Sequence, residues 1–444
     1  MKPRKNADFD QLQLFNAQFS QLLNPDHPLV HLADKIDWPR FETAFSPCFS
    51  SDNGAPALAT RLVVGLLYLK HAFNLSDEAL VERWVENPYW QYFCGFKTMQ
   101  HELPLHPTSL VKWRQRVGAD RLAELLKETV AIALVTKQIS TEELAKVNVD
   151  TTVQEKNITF PTDSKLLLRA IEKLAKAAKK RGIRLRQTYT RVAKKVAVQA
   201  SRYAHAKQFK RMQAKVRKLK TWLGRVLRDI RRQVPEPSKA FEKFLKLCER
   251  LHTQERNDSG KLYSLHEPEV VCISKGKVAK RYEFGQKIAI VTSNRYNFIV
   301  GAQLVKGNPF DGHTLAQSLD HVKTITGVDV KTAYVDKGYR GHGYTGSATI
   351  RISGAGGTKL SAMERKRCKR RSAIEPKIGH MKAENRLSRC YLRGLTGDAI
   401  NAILAAAGSN LRKLMRGLFF ELIFRVLRAF KGYFKRGVAP GLVA

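Results

Sequence analysis

The sequence predicts an α/β protein: a mixed β-sheet core flanked by helices, preceded by an all-helical N-terminal domain and interrupted by a long basic helical insertion. Three observations carry this. Apolar residues recur at helical spacing through residues 1–140. Residues 165–233 hold 24 Lys or Arg against two acids, Glu172 and Asp229, set among strong helix formers. From about residue 268 the apolar period becomes two, through three strand-like runs in succession.

The elements follow in order. LATRLVVGLLYLKHAF (58–73) is apolar almost throughout and predicts a buried helix. SDEALVERWVENP follows, with Ser76 as its N-cap. HPTSLVKWRQRVGADRLAELLKETVAIALV (106–135) predicts two helices broken at Gly118. That pattern fits a helix-turn-helix and equally an ordinary helical hairpin. AKVNVD (145–150) alternates like a strand and ends in Asp150. Long basic helices fill 165–233, PEPSK (235–239) interrupts them, and another helix covers 240–253. EPEVVCISKG, QKIAIVTS and YNFIVGAQLV predict three consecutive strands, with SNRY as the turn between the last two. PFDGHTLAQSLDHVKTITG (309–327) predicts a helix closed by Gly327. VKTAYVD ends a strand in Asp336, ATIRIS (348–353) is a short strand, and helices return around Glu375 and over 398–417.

Composition narrows the partners. The 444 residues carry a formal net charge of +40, which favours a polyanion, nucleic acid first and an acidic membrane surface second. The six cysteines show neither CxxC spacing nor a Cys/His cluster, which predicts free thiols in a reducing compartment. MKPRKNADFDQLQLF lacks a signal-peptide apolar core, and no run of 18 apolar residues predicts a membrane span. GLFFELIFRVLRAFKGYFKR, broken by Glu421, Arg425 and Arg428, predicts a basic amphipathic helix.

Asp150 and Asp336 end strands and Glu375 begins a helix, three rigid places from which carboxylates can converge. Converging carboxylates repel unless a cation sits among them, and a hard divalent ion such as Mg²⁺ takes oxygen ligands. Two such ions serve phosphodiester displacement. Charge and acids together point to phosphodiester chemistry on nucleic acid.

The same residues carry a resemblance. VDTTVQEKNITFPTDSKLL (149–167), AYVDKGYRG (333–341) and RRSAIEPKIGHMKAENRLSRC (370–390) resemble the three acidic segments of DDE-type insertion-sequence transposases of the IS-five/IS-four-like group. The third family segment reads Tyr, two residues, Arg, three residues, Glu, six residues, Lys; Arg371, Glu375 and Lys382 fit those spacings, and Cys368 stands at the tyrosine position. The resemblance implies an RNase H-like core and catalytic, metal-binding Asp150, Asp336 and Glu375. It implies Mg²⁺ or Mn²⁺, two ions, as cofactor. It also implies DNA contact by Arg371 and Lys382, and Lys337 and Arg340 flank the second Asp as further DNA-contact candidates. Terminal inverted repeats and target DNA are the implied partners of a cytoplasmic, nucleoid-associated homodimer that needs no membrane and no small-molecule cofactor. Hairpin-forming relatives insert a domain between the second Asp and the Glu, with a stacking tryptophan. Here 38 residues separate Asp336 from Glu375 and the only tryptophan after Asp150 is Trp222, so the hairpin chemistry is not carried over.

The bland readings stand beside these. Strand-end acids can accept backbone N–H bonds, and Arg371 and Lys382 can pair with Glu375 along one helical face. Ser372 and Glu375 also fit a capping box, which Pro376 weakens. Asp163 and Asp311 receive no role, and His313 and His380 are read as polar surface residues. The expected division is 1–140 helical, for DNA-end binding or dimerisation, 141–164 and 260–411 catalytic core, 165–259 insertion and 412–444 basic tail. The competing functions are a nucleic-acid-binding protein without catalysis and a nuclease that stops after cleavage.

Overall fold

The computed structural model describes residues 2, 17–50, 53–255, 257–274, 281–354 and 360–436, with side chains described as far as residue 420 in the final helix. Most of the N-terminal run quoted above, and the tail's side chains beyond residue 420, lie outside the described residues. The chain divides into two units: 1–154 with 287–444, and 155–286.

The first unit opens with helices α1 (Phe19–Leu22), α2 (Pro28–Lys35), α3 (Trp38–Phe45), α4 (Thr60–Ala72), α5 (Asp77–Glu86), α6 (Pro88–Phe93), α7 (Pro107–Val135) and α8 (Thr141–Leu144). Every residue of α4 except Arg61 is buried, as its apolar run predicts. Ser76 caps α5 by accepting from the Ala79 N–H at 3.1 Å. Gly118 takes φ 77° and ψ 172°, so the predicted break inside α7 is present. A conformation with positive φ suits glycine, which has no Cβ to strain. Asp77 is packed between Arg114 at 2.6 Å and Lys70 at 2.7 Å, tying α5 to α7 and α4.

Strand β1 (Lys146–Lys156) follows and corrects one expectation. It continues six residues beyond Asp150, which therefore lies in mid-strand. The physical reason is that Thr151, Thr152 and Val153 are an unbroken run of β-branched residues, and Gln154 after them is satisfied by the last helix, α16 (Gly394–Arg436). Gln154 donates to the Asp398 carbonyl at 3.1 Å and accepts from Asn401 at 2.9 Å.

The second unit holds the predicted basic helices: α9 (Asp163–Lys180), α10 (Thr190–His205), α11 (Phe209–Gln233) and α12 (Lys239–Thr253). Their apolar stripes meet in one core through Leu174, Leu219, Leu223, Ile230 and Leu245. That inward stripe leaves the cations on the outer faces. Asp229 is buried and accepts from the Arg186 N–H at 2.8 Å, fixing the loop before α10. Tyr189 stacks on Trp222 with centroids 5.3 Å apart. Here too β2 (Val271–Ser274) pairs antiparallel with the first residues of β3 (Tyr282–Ser293).

Back in the first unit, the rest of β3 pairs antiparallel with β4 (Ile299–Val305), across a turn where Asn297 takes φ 56°. Helix α13 (Leu315–Thr326) ends at Gly327 with φ 71°. Strands β5 (Thr332–Val335) and β6 (Thr349–Ile352) run parallel to each other, and β5 runs parallel to β1. Helices α14 (Ala362–Arg370) and α15 (Ile374–Glu384) and strand β7 (Arg389–Cys390), which pairs with β1, lead into α16. One continuous core joins the N-terminal helices, the sheet and α16 through residues such as Leu66, Leu126, Val149, Ile290, Val335 and Leu404. None of the six cysteines forms a disulfide. Among the described residues no helix is long and apolar enough to cross a membrane.

Candidate active site

Parallel register brings two of the acids together. Asn148 of β1 pairs with Tyr334 of β5, and Asp150 and Asp336 each lie two residues further on. A step of two keeps a side chain on the same face, so the two carboxylates stand side by side at the carboxyl end of β5. Crevices at the carboxyl ends of parallel strands are where open α/β sheets place ligands.

Each carboxylate is oriented by backbone. Asp150 Oδ1 accepts from the Thr151 N–H at 2.7 Å. Asp336 Oδ1 accepts from the Gly338 N–H at 3.0 Å, closing an Asx-type turn that any larger residue at 338 would press against. Glu375 enters from the first turn of α15, directly after a 3₁₀ turn at Arg371–Ala373. Ser372 and Glu375 form no capping box: Ser372 donates to the Lys369 carbonyl at 2.9 Å, and the box that does form is Ser361 with Glu364 on α14.

Arg371 joins the three acids. Its Nη2 donates to Asp150 Oδ2 at 3.0 Å and lies 3.7 Å from Asp336 Oδ2, while Nη1 donates to Glu375 Oε1 at 2.8 Å. Arg371 is buried. The ion pairing weighed for it is thus the contact it makes, inward onto carboxylates. Lys337 and Arg340 are exposed on and just after the short turn that follows Asp336, and Lys382 is half-buried on α15. His313 and His380 are exposed; His380 pairs with Glu384 at 3.0 Å, as expected of a surface role. Cys368 is half-buried on α14, with its thiol pKa raised by burial and the charge of Glu364, against the opposing charge of Arg351.

A second link supports the first. Asp311 accepts from the Thr151 hydroxyl at 2.9 Å and pairs with Lys287 at 2.9 Å, and Lys287 also donates to the Pro309 carbonyl at 2.6 Å. Asp311 had no role in the sequence reading, yet a signal was there. Lys287 sits within the apolar strand QKIAIVTS, and a lysine buried in a sheet requires an acid partner. Asp163, by contrast, starts α9 in the second unit, 3.7 Å from Lys261. Tyr339 is fully buried beside the acids; burial, then the charges of Asp150, Asp311 and Asp336, push its hydroxyl pKa well up.

The donors suit a hard divalent cation. Asp150, Asp311, Asp336 and Glu375 face Arg371 and Lys287, so four acids meet two bases and two negative charges remain. The three central side chains offer only carboxylate oxygens, the ligand type Mg²⁺ and Mn²⁺ prefer. As placed, they close on the guanidinium: among the described residues no three of His, Cys, Asp and Glu stand in a metal-holding group.

The family described as "Transposase domain (DUF772)" matches residues 17–116, and the family described as "Transposase DDE domain" matches residues 263–411. The second range includes Asp336 and Glu375, and Asp150 lies outside both. A protein of Rhizobium meliloti described as "Uncharacterized protein ORF8 in nfe locus" is 55% identical over 196 residues, which is 44% of this chain and 94% of that protein. No solved structure matches the chain. The chain thus carries a match to a DUF772 transposase domain ahead of a match to a transposase DDE domain.

Proposed function

We propose that this chain is a transposase that binds the terminal inverted repeats of its mobile element, cleaves the phosphodiester at each terminus and joins the freed 3′-OH to target DNA. The observation that supports this is the meeting of Asp150, Asp336 and Glu375, drawn from three separate elements, on one guanidinium. The finer assignment to the IS-five/IS-four-like group, and to an RNase H-like core, belongs to the same proposal.

In this reading Asp150, Asp336 and Glu375 are the residues that would hold Mg²⁺ or Mn²⁺. Such ions supply Lewis-acid activation of water and stabilisation of the leaving oxygen. The protein's own part is positioning. Backbone N–H groups at Thr151 and Gly338 aim two carboxylates, and Arg371 holds all three converged. Lys337, Arg340 and Lys382 are proposed to contact DNA phosphates beside the acids, and the basic helices of the second unit to bind DNA as well. Two copies would handle the two ends of an element.

The experiment is strand cleavage of a terminal-repeat duplex by Asp336→Asn protein in Mg²⁺. Loss of cleavage and of strand transfer, with duplex binding retained, is the expected result. Wild-type cleavage by this variant refutes the reading. Cleavage without strand transfer by the wild type reassigns the chain as a nuclease.

A further inference from the structure

A pocket of about 550 Å³ lies between α15 and α16, lined by Lys377, His380 and Glu384 from one helix and Arg412, Lys413 and Arg416 from the other. Its charges do not balance. Glu384 is the only carboxylate lining it among the described residues, and it is taken by Arg412 at 2.8 Å and His380 at 3.0 Å. Glu384 also acts on Lys377 and Arg416 through its charge, so one acid, already paired twice, stands against Lys377, Lys413 and Arg416 among the pocket-lining residues. Lys413 donates to the Tyr296 carbonyl and lies 4.8 Å above the Phe298 ring, so its ammonium is held in place by neutral groups. Burial first, then Arg370, lowers its pKa to about 8; burial first, then Lys413 and Arg416, lowers that of Lys377 to about 7.

Three cations held in a concave site repel one another, and folding has no interest in gathering them unless an anion completes the set. Asn297 and Gln138 add neutral side-chain amides to the wall. A tetrahedral phosphate takes several charge-assisted donors at once, from Lys and Arg alike. The pocket also borders Ala373 and Pro376, at the start of the helix that carries Glu375.

We propose that this pocket is a phosphate-binding site that grips one backbone phosphate of DNA through Lys377, on the helix that bears Glu375, and Lys413 and Arg416, on α16. The proposal rests on the reading that the chain acts on DNA, and adds a contact that the three acidic segments do not include. Gripping a strand there would couple the seating of DNA to the placement of α15.

The test is duplex binding by full-length protein, with EDTA present so that cleavage is silent, followed by fluorescence anisotropy over a range of salt. Each lost phosphate contact lowers the slope of log affinity against log salt by about 0.9. The site holds one phosphate, so the Lys377→Gln/Arg416→Gln protein is expected to lose up to about 0.9 units of slope, and Arg416→Gln alone, at an exposed position, a part of that. Lys323→Gln/Lys331→Gln removes the same charge from around the opposite end of β5 and is expected to change the slope far less. Equal slopes for the two double variants overturn the proposal while leaving DNA binding intact. Absence of any salt-dependent duplex binding by the wild type overturns the underlying reading instead. Inorganic phosphate, compared with chloride at matched ionic strength, separates the two sources of the anion. If it raises the melting temperature of the wild type but not of Lys377→Gln/Arg416→Gln, and the duplex slopes are unchanged, the site takes a small phosphate and the DNA assignment is overturned.

Discussion

Arg371 donates to Asp150 across 221 positions of sequence, at 3.0 Å, and to Glu375 four positions away, at 2.8 Å. One side chain thus fastens the start of α15 to the middle of β1. Replacing it by glutamine leaves three carboxylates without their shared cation. Removing one partner of a buried ion pair costs about 3–5 kcal/mol, and the exposure of Glu375 and Asp336 reduces that to about 1–2 kcal/mol. Arg371→Gln is expected to melt lower than wild type in EDTA and to recover more stability than wild type on adding Mg²⁺. Thermal melts with and without Mg²⁺ check this; identical Mg²⁺ responses in the two proteins count against carboxylates that share a cation site.

Asp311 touches the site through Thr151, the residue after Asp150. Outer partners of ligating groups typically matter by about 10–100-fold in activity or metal affinity. Asp311→Asn keeps the shape and the hydrogen bond from Thr151 but removes the charge facing Lys287. A fall of about 10–100-fold in strand cleavage is expected, with duplex binding unchanged. Unaltered cleavage would limit Asp311 to satisfying Lys287.

His71 on α4 is fully buried and its pKa is lowered to about 3, first by burial and then by Lys70, against the hydrogen bond to the Leu67 carbonyl. The unfolded chain takes up this proton near pH 6.5 while the folded chain does not. Its contribution is therefore complete above about pH 6.5 and falls by up to about 1.4 kcal/mol per unit as pH drops toward 3. Asp77 titrates lower: burial raises its pKa, but Arg114 and Lys70 outweigh that and hold it well below the usual range. Urea unfolding between about pH 7.5 and 5 thus reads the histidines whose pKa burial lowers, His71 together with His27, His252 and His321, and the His71→Leu difference separates the first from the rest. A His71→Leu protein is expected to show a flatter pH dependence there; an unchanged slope would place the dependence elsewhere.

Arg217, Arg225 and Arg228 are exposed along α11 in the basic unit. Changing all three to glutamine is expected to reduce the salt slope of duplex binding by up to about 2.7, at about 0.9 per phosphate contact. Filter binding across a salt series reads it. An unchanged slope would mean that this face is solvated and meets no DNA.

The architecture was legible because it follows from local patterns. Gly118, Ser76, Gly327 and the SNRY turn each mark an element boundary by their own backbone chemistry, and the structure uses all four. The end of β1 was not legible. What extends it past Asp150 is the pairing of Gln154 with Asp398 and Asn401, residues more than 240 positions away. The same limit applied in the site. Spacing singled out Arg371, but its choice between phosphate and carboxylate depends on how near β1 comes to α15, which no local pattern states. The Asp311–Lys287 pair failed to stand out for a related reason: each residue is ordinary alone and informative only beside the other.

The parallel register of β1 against β5 makes the acid pair a discrete arrangement. Strand pairings shift by whole residues, and a shift of one would turn Asp150 or Asp336 to the opposite face of the sheet. No intermediate spacing exists between the two carboxylates. Damage to the packing around these strands should therefore divide a preparation into competent and dead molecules. Active-site titration would then report a smaller count of working sites, each turning over at the undamaged rate.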